Sequence, residues 1–313
     1  MTRLLTIIFL IFFNFNLLYA NAKYNIVVVQ NTNELSQFNE VASSFAFTLN
    51  QKKNYNIKQF DLKSREIDDI VKEINKFNTN LIYAIGDRSA ALLAEKTKNI
   101  PIIFSMILNY KNPKLRLAEN KNVAGISLEV PAEITFMQLQ MLVPTIKKVG
   151  IFYSERSKEI VDNIVARQAE FGLEIIAYEI KKDGAIEKAF RDIRKRVEAI
   201  YMVADPVIYT KDNTILLINE CKKAKIPFIA YSDAFVKAGA LMSVSPSYST
   251  IGSQAASLAE NILIDKTPPE KVGVVSPIGT FFVINALTSQ EIGITTDENV
   301  LNFADKVYRN LED

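Results

Sequence analysis

A rhythm of apolar and amphipathic segments runs through this chain and limits the folds open to it. From Tyr24 onward, short apolar runs rich in Val and Ile alternate with longer amphipathic segments. A run that is apolar on both faces suits a strand buried on both faces, and an amphipathic helix is the connection that parallel strands require. The pattern therefore predicts an α/β fold of parallel sheets covered by helices on both sides. Strands are expected at 25–29, 55–60, 81–85, 102–105 and 123–126, with helices at 34–49, 67–77 and 89–97 between them. That series already makes one doubly wound unit.

A second series follows Pro131. A helix through Phe136, Leu139 and Leu142 stops near Pro144. Strands are then expected at 148–152, 173–178, 199–203, 227–230 and 240–244, and helices at 158–171, closed by Gly172, at 186–196 and at 214–223. The 313 residues accommodate two such lobes, because domains commonly run to roughly 100–200 residues. Residues 127–131 are too short for a free linker, so the expectation is two Rossmann-like, doubly wound lobes joined by a hinge. A cleft between such lobes is where a small ligand is usually buried.

Composition excludes several functions. Apolar residues make up 49% and charged residues 23%, which argues against disorder. The 37 basic and 35 acidic side chains nearly cancel, so no overall field would gather nucleic acid or anionic lipid. There is no histidine, which removes the commonest general base and transition-metal ligand. Cys221 is the one cysteine and cannot form an intrachain disulfide; it reads as a small residue on a helix flank, with a reactive thiol as the other possibility. No nucleophile elbow, phosphate loop, dinucleotide fingerprint or metal-ligand spacing is present. Acidic pairs for glycosidic chemistry are not marked out by any local motif.

Residues 1–22 read as an export signal. Arg3 gives the positive start, an apolar run follows, and Ala20-Asn21-Ala22 offers the small-x-small cleavage pattern. The remainder is expected to be a periplasmic protein with no stable membrane insertion.

Candidate binding residues lie just past the carboxyl ends of predicted strands, where open parallel sheets place ligands and helix N-termini offer free backbone donors. Gly86-Asp87-Arg88-Ser89 follows the third strand: Gly86 lets the chain turn, and the N–H groups near Arg88 and Ser89, with the Ser89 hydroxyl, suit a carboxylate. Asp87 reads equally as a plain helix cap. Asp205-Pro206 ends a strand of the second lobe, where Asp205 suits an ammonium or a turn. Tyr231-Ser232-Asp233 brings a ring, a hydroxyl and a carboxylate, with Asp233 also a candidate cap for a short helix at 234–238. Gln30-Asn31 follows the first strand, and Ser105-Met106 the fourth, with Met106 a polarizable wall.

Certain segments also resemble a known family. They are Ile100-Pro101-Ile102-Ile103-Phe104, Asn122-Val123-Ala124-Gly125-Ile126-Ser127, and Leu142-Val143-Pro144 before Lys147-Lys148-Val149-Gly150-Ile151-Phe152-Tyr153. Lys225-Ile226-Pro227-Phe228, Ala238-Gly239-Ala240-Leu241, residues 248–252 with the alanine-rich helix after them, Ile284-Asn285-Ala286 and Ile292-Gly293-Ile294 complete the set. In this order, across 81–294, the chain resembles the ABC transporter substrate-binding proteins, a family with tryptophan- and phenylalanine-binding members. The resemblance implies a type I periplasmic binding protein fold with three crossovers. The N-terminal lobe would comprise 23–127 and 248–283, and the C-terminal lobe 128–247 and 284–313. By the same resemblance Arg88 and Ser89 match the carboxylate site, and Asp205 or Asp233 the ammonium site. The expected protein is a monomeric receptor without cofactor or catalysis, closing on a small solute, such as an amino acid, and passing it to a membrane permease. The alternative is a sensor that presents the closed form to a chemoreceptor or histidine kinase. A third class, an exported enzyme, would turn its ligand over instead of retaining it.

Overall fold

A computed structural model of the chain describes residues 24–52, 54–181 and 186–310. The expected signal segment lies outside them. In chain order, the first elements are β1 (Tyr24–Gln30), α1 (Ser36–Asn50), β2 (Tyr55–Asp61), α2 (Ile67–Lys76), β3 (Leu81–Ile85), α3 (Asp87–Lys96), β4 (Ile102–Ser105) and β5 (Val123–Ile126). Next come α4 (Ala132–Leu142), β6 (Lys148–Tyr153), α5 (Lys158–Ala166), α6 (Gln168–Phe171), β7 (Glu174–Glu179), α7 (Ile186–Ile193), β8 (Ala199–Tyr201), α8 (Lys211–Lys223), β9 (Phe228–Ala230), α9 (Asp233–Lys237) and β10 (Met242–Pro246). The last are α10 (Tyr248–Leu263), α11 (Pro269–Val272), β11 (Val274–Val275), β12 (Thr280–Asn285), α12 (Ala286–Ile292), α13 (Glu298–Leu301) and β13 (Lys306–Tyr308).

The chain divides into two compact units. The first holds the described residues up to Leu128 together with Tyr248–Ile278; the second holds Glu129–Ser247 and the described residues from Gly279. The sheet of the first unit runs β11-β5-β4-β3-β1-β2, parallel throughout. Its strands are apolar on both faces because helices cover both. Ile26 and Val28 pack toward α1 and α10, while Val27 and Val29 pack toward α2 and α3. In α2, Ile70 and Ile74 are fully buried, while Asp68 and Asp69 in the first turn and Lys76 in the last complement the helix dipole. Where α10 crosses α1 the backbones nearly touch: a Cβ on Gly252 would collide with the Val41 carbonyl oxygen.

The sheet of the second unit runs β13-β12-β10-β9-β8-β6-β7 and is parallel except where β12 lies antiparallel to β10. Three differences from the sequence reading have physical causes. The boundary expected at 283/284 falls inside β12, whose full-length pairing with β10 places it wholly in the second unit, so the division comes at Ile278/Gly279. The single helix expected at 158–171 is two, because Arg167 leaves helical geometry (φ −102°, ψ 7°) and its guanidinium bonds Glu133 and Glu170. The cap of α9 is Ser232, with Asp233 the first residue inside.

Candidate functional site

The carboxyl edge of the first sheet is closed by its own side chains. Gly86 adopts φ 104° and ψ 163°, a region open essentially to glycine alone. The Asn31 side chain lies so close that a Cβ on Gly86 would meet it at 2.6 Å. Asn31 Oδ1 accepts from the Ser89 N–H at 2.8 Å, and Asn31 Nδ2 donates to Asp87 Oδ1 at 2.8 Å. The same Asp87 oxygen accepts from the Arg88 N–H at 2.7 Å. Ser89 is buried, and its hydroxyl turns back onto the Ile85 and Gly86 carbonyl oxygens, 3.0 Å from each. The backbone donors and hydroxyl expected to take a carboxylate are thus already paired. What remains is the Arg88 guanidinium, which is exposed and has no ion pair or side-chain hydrogen bond among the described residues.

Gln30 and Ser105 lie on the other face of the same edge. The register sets Gln30 beside Ile85 and Ile85 beside Ser105. Both polar residues are buried. Ser105 Oγ pairs with Tyr83 Oη at 2.7 Å, and its carbonyl oxygen accepts from the Gly86 N–H at 2.9 Å. Met106 then takes φ 61°, uncommon for a residue with a side chain, and packs half-buried at the rim of the core with Leu128 and Tyr248.

In the second unit Asp205 is a structural knot. Its Oδ2 accepts from Ser154 N (3.0 Å), Ser154 Oγ (2.6 Å) and Ser157 Oγ (2.6 Å), and its Oδ1 from Val207 N (3.0 Å). Burial alone would raise its pKa, but these donors outweigh burial and hold the carboxyl below its usual range. The expected ammonium acceptor is therefore committed to its own turn, while Pro206 beside it is exposed. Asp233 is likewise engaged: Oδ1 accepts from Tyr308 Oη at 2.7 Å and Oδ2 pairs with Lys306 Nζ at 3.1 Å, tying α9 to β13. Tyr231 and Ser232 are half-buried, and the Tyr231 ring meets Phe235 edge-on at 5.3 Å between centroids. Cys221 is buried, and burial pushes its thiol up, away from thiolate chemistry.

The sequence marks the strand ends but not the partners: Asn39, whose Oδ1 accepts from Gln30 Nε2, and Ser154, Ser157, Lys306 and Tyr308. A serine three residues from another past a strand end was the one signal available for the Asp205 knot. Among the described residues no cluster of His, Cys, Asp and Glu could hold a metal ion, and no helix is long and apolar enough to cross a membrane.

Two mainly parallel sheets with flanking helices, linked by three passages of the chain, define the class of type I periplasmic binding proteins. Residues 47–308 match the family described as ABC transporter substrate binding protein, and the chain belongs to that family. It is similar to a tyrosine-binding protein of Clostridioides difficile strain R20291, 27% identical over 237 residues, 70% of this chain and 68% of that one. In structure it is similar to a ligand-free, open substrate-binding protein with adhesive properties from Clostridium difficile, with a TM-score of 0.75 and 19% identity over 92% of this chain and 100% of that one. An ABC domain in complex with L-Trp from Streptococcus pneumonia gives a TM-score of 0.60 and 22% identity over 91% and 100%.

Proposed function

We propose that this chain is the extracytoplasmic receptor for a small amino-acid-type solute and hands it to an ABC permease. Arg88 carries the reading. It is the one cation among the strand-end candidates, it is exposed beside the N-terminus of α3, and none of its side-chain donors is used among the described residues. A guanidinium in that position is suited to a carboxylate, by charge and by paired hydrogen bonds. Met106 and Tyr231 offer apolar and aromatic surface for the rest of the solute, consistent with relatives described as binding tyrosine and L-Trp.

Closure of the two units over the solute would favour the bound form, since only that form contacts it from both sides. The protein retains its solute and does not transform it. It acts as a monomer in the periplasm, exported through residues 1–22, without cofactor, nucleic acid or membrane insertion. Native mass spectrometry of gently purified protein, with small-angle scattering before and after adding amino acids, tests this. The expected result is a retained amino-acid mass and a more compact particle. Turnover of the added solute, or no compaction of folded protein with any common amino acid, would overturn it.

A further inference from the structure

We propose that the side-chain carbonyl of Gln30 accepts a hydrogen bond from an N–H or O–H group of the solute and so selects solutes carrying a donor at that point. This rests on the amino-acid reading above. Gln30 closes β1 and is 1% exposed, yet its Oε1 has no hydrogen-bond partner among the described residues. Its Nε2 donates to Asn39 Oδ1 at 3.2 Å, and Asn39 Nδ2 donates in turn to the Asn33 carbonyl oxygen at 2.7 Å. The second bond fixes the first. With its nitrogen committed to Asn33, Asn39 can offer Gln30 only an oxygen, and flipping the Gln30 amide would set two acceptors against each other. Gln30 Oε1 is therefore an oriented acceptor.

Its surroundings give the orientation a purpose. The same face carries Ile26, Val28, Leu81 and Ile103, and the hydroxyls of Tyr83 and Ser105 satisfy one another. An unpaired amide carbonyl in that setting destabilises the fold, where Leu or Met would fill similar space without that cost. It stands at the carboxyl end of a parallel strand, the edge at which such sheets take ligands. An acceptor left unpaired there fits a partner that arrives with the solute. Gln138 Oε1 is also buried and unpartnered among the described residues, but it lies inside the helix α4 and does not close a strand, and it serves as an internal control.

The test is calorimetric titration of the wild-type chain and Gln30→Met, each confirmed as folded by circular dichroism, with solutes differing by one donor. The pairs are L-tyrosine against L-phenylalanine, and L-phenylalanine against 3-phenylpropionate. The wild-type chain is expected to discriminate at least one pair by about tenfold or more, with Gln30→Met reducing that ratio to within about twofold. In nitrogen-15 spectra the Gln30 side-chain amide should shift on adding the preferred solute while that of Gln138 does not. If both ratios survive the substitution, or the Gln30 amide does not move, the proposal is overturned while solute binding stands. If the wild-type chain binds none of these solutes the proposal falls, and if it also binds no other common amino acid the amino-acid reading falls with it.

Discussion

Replacing Asp205 by Asn separates a structural carboxylate from a solute contact. The wild-type carboxylate accepts four hydrogen bonds, three on Oδ2 and one on Oδ1. An asparagine that keeps its oxygen toward Ser154 and Ser157 must turn its NH2 toward the Val207 N–H, leaving a donor without an acceptor at a cost of about 1–3 kcal/mol. The other three bonds lose their charge assistance, at somewhat under about 1 kcal/mol each. With partial relaxation of the two hydroxyls, the loss comes to roughly 3–5 kcal/mol. For a unit of this size about 1 kcal/mol moves the melting temperature by roughly 2–4 °C, so a fall of roughly 6–20 °C is expected. Thermal unfolding followed by circular dichroism and near-ultraviolet fluorescence measures it, and calorimetry well below the transition measures solute affinity. Affinity should stay within about twofold of wild type, because the carboxylate faces its own turn. A variant that melts within about 2 °C of wild type but loses solute affinity by more than about tenfold would show that Asp205 is a solute contact and not a structural carboxylate.

Three further outcomes follow from the same structure. Gly86→Ala should destabilise by about 1–3 kcal/mol in chemical denaturation, since φ 104° strains any L-residue and the new methyl displaces Asn31 from the Ser89 N–H. Gly252→Ala should cost about 1–3 kcal/mol, because a methyl set against the Val41 carbonyl must push α10 away from α1; unchanged stability would contradict that close approach. With its pKa held below the usual carboxylate range, Asp205 contributes stability that is complete above the unfolded value of about 3.9 and lost as pH falls through the folded one. Melting temperatures between about pH 5 and 3 should therefore fall more steeply for wild type than for Asp205→Asn.

How far the sequence reaches is best seen strand by strand. The inner strands β3, β4 and β5 were legible end to end, because a strand buried on both faces must be a continuous apolar run bounded by turn residues. β12 was not read as a strand, since its place depends on antiparallel pairing with β10 rather than on the βαβ rhythm, and β13 has only three residues over which to show a pattern. The candidate site follows the same logic. Strand ends can be read from one segment, so Gln30, Gly86, Ser105 and Asp205 all stood out. Their partners are set by the fold: Asn31 meets Ser89 58 positions away, Asp205 meets Ser154 51 away, and Asp233 meets Tyr308 75 away. Sequence named the groups able to bind a ligand, Arg88 and Ser89 together among them, but not the neighbours that engage Ser89 and leave the Arg88 side chain without a partner among the described residues.

The most direct measurement is calorimetric titration of an amino-acid panel into wild type and Arg88→Ala, each stripped of retained solute by unfolding and refolding. Saturable binding of one solute per chain is expected, weakened roughly 10- to 150-fold in Arg88→Ala, as loss of about 1.5–3 kcal/mol from a charge-assisted contact requires, with melting unchanged. Equal affinity in the two proteins, or no binding to folded wild type, would contradict it.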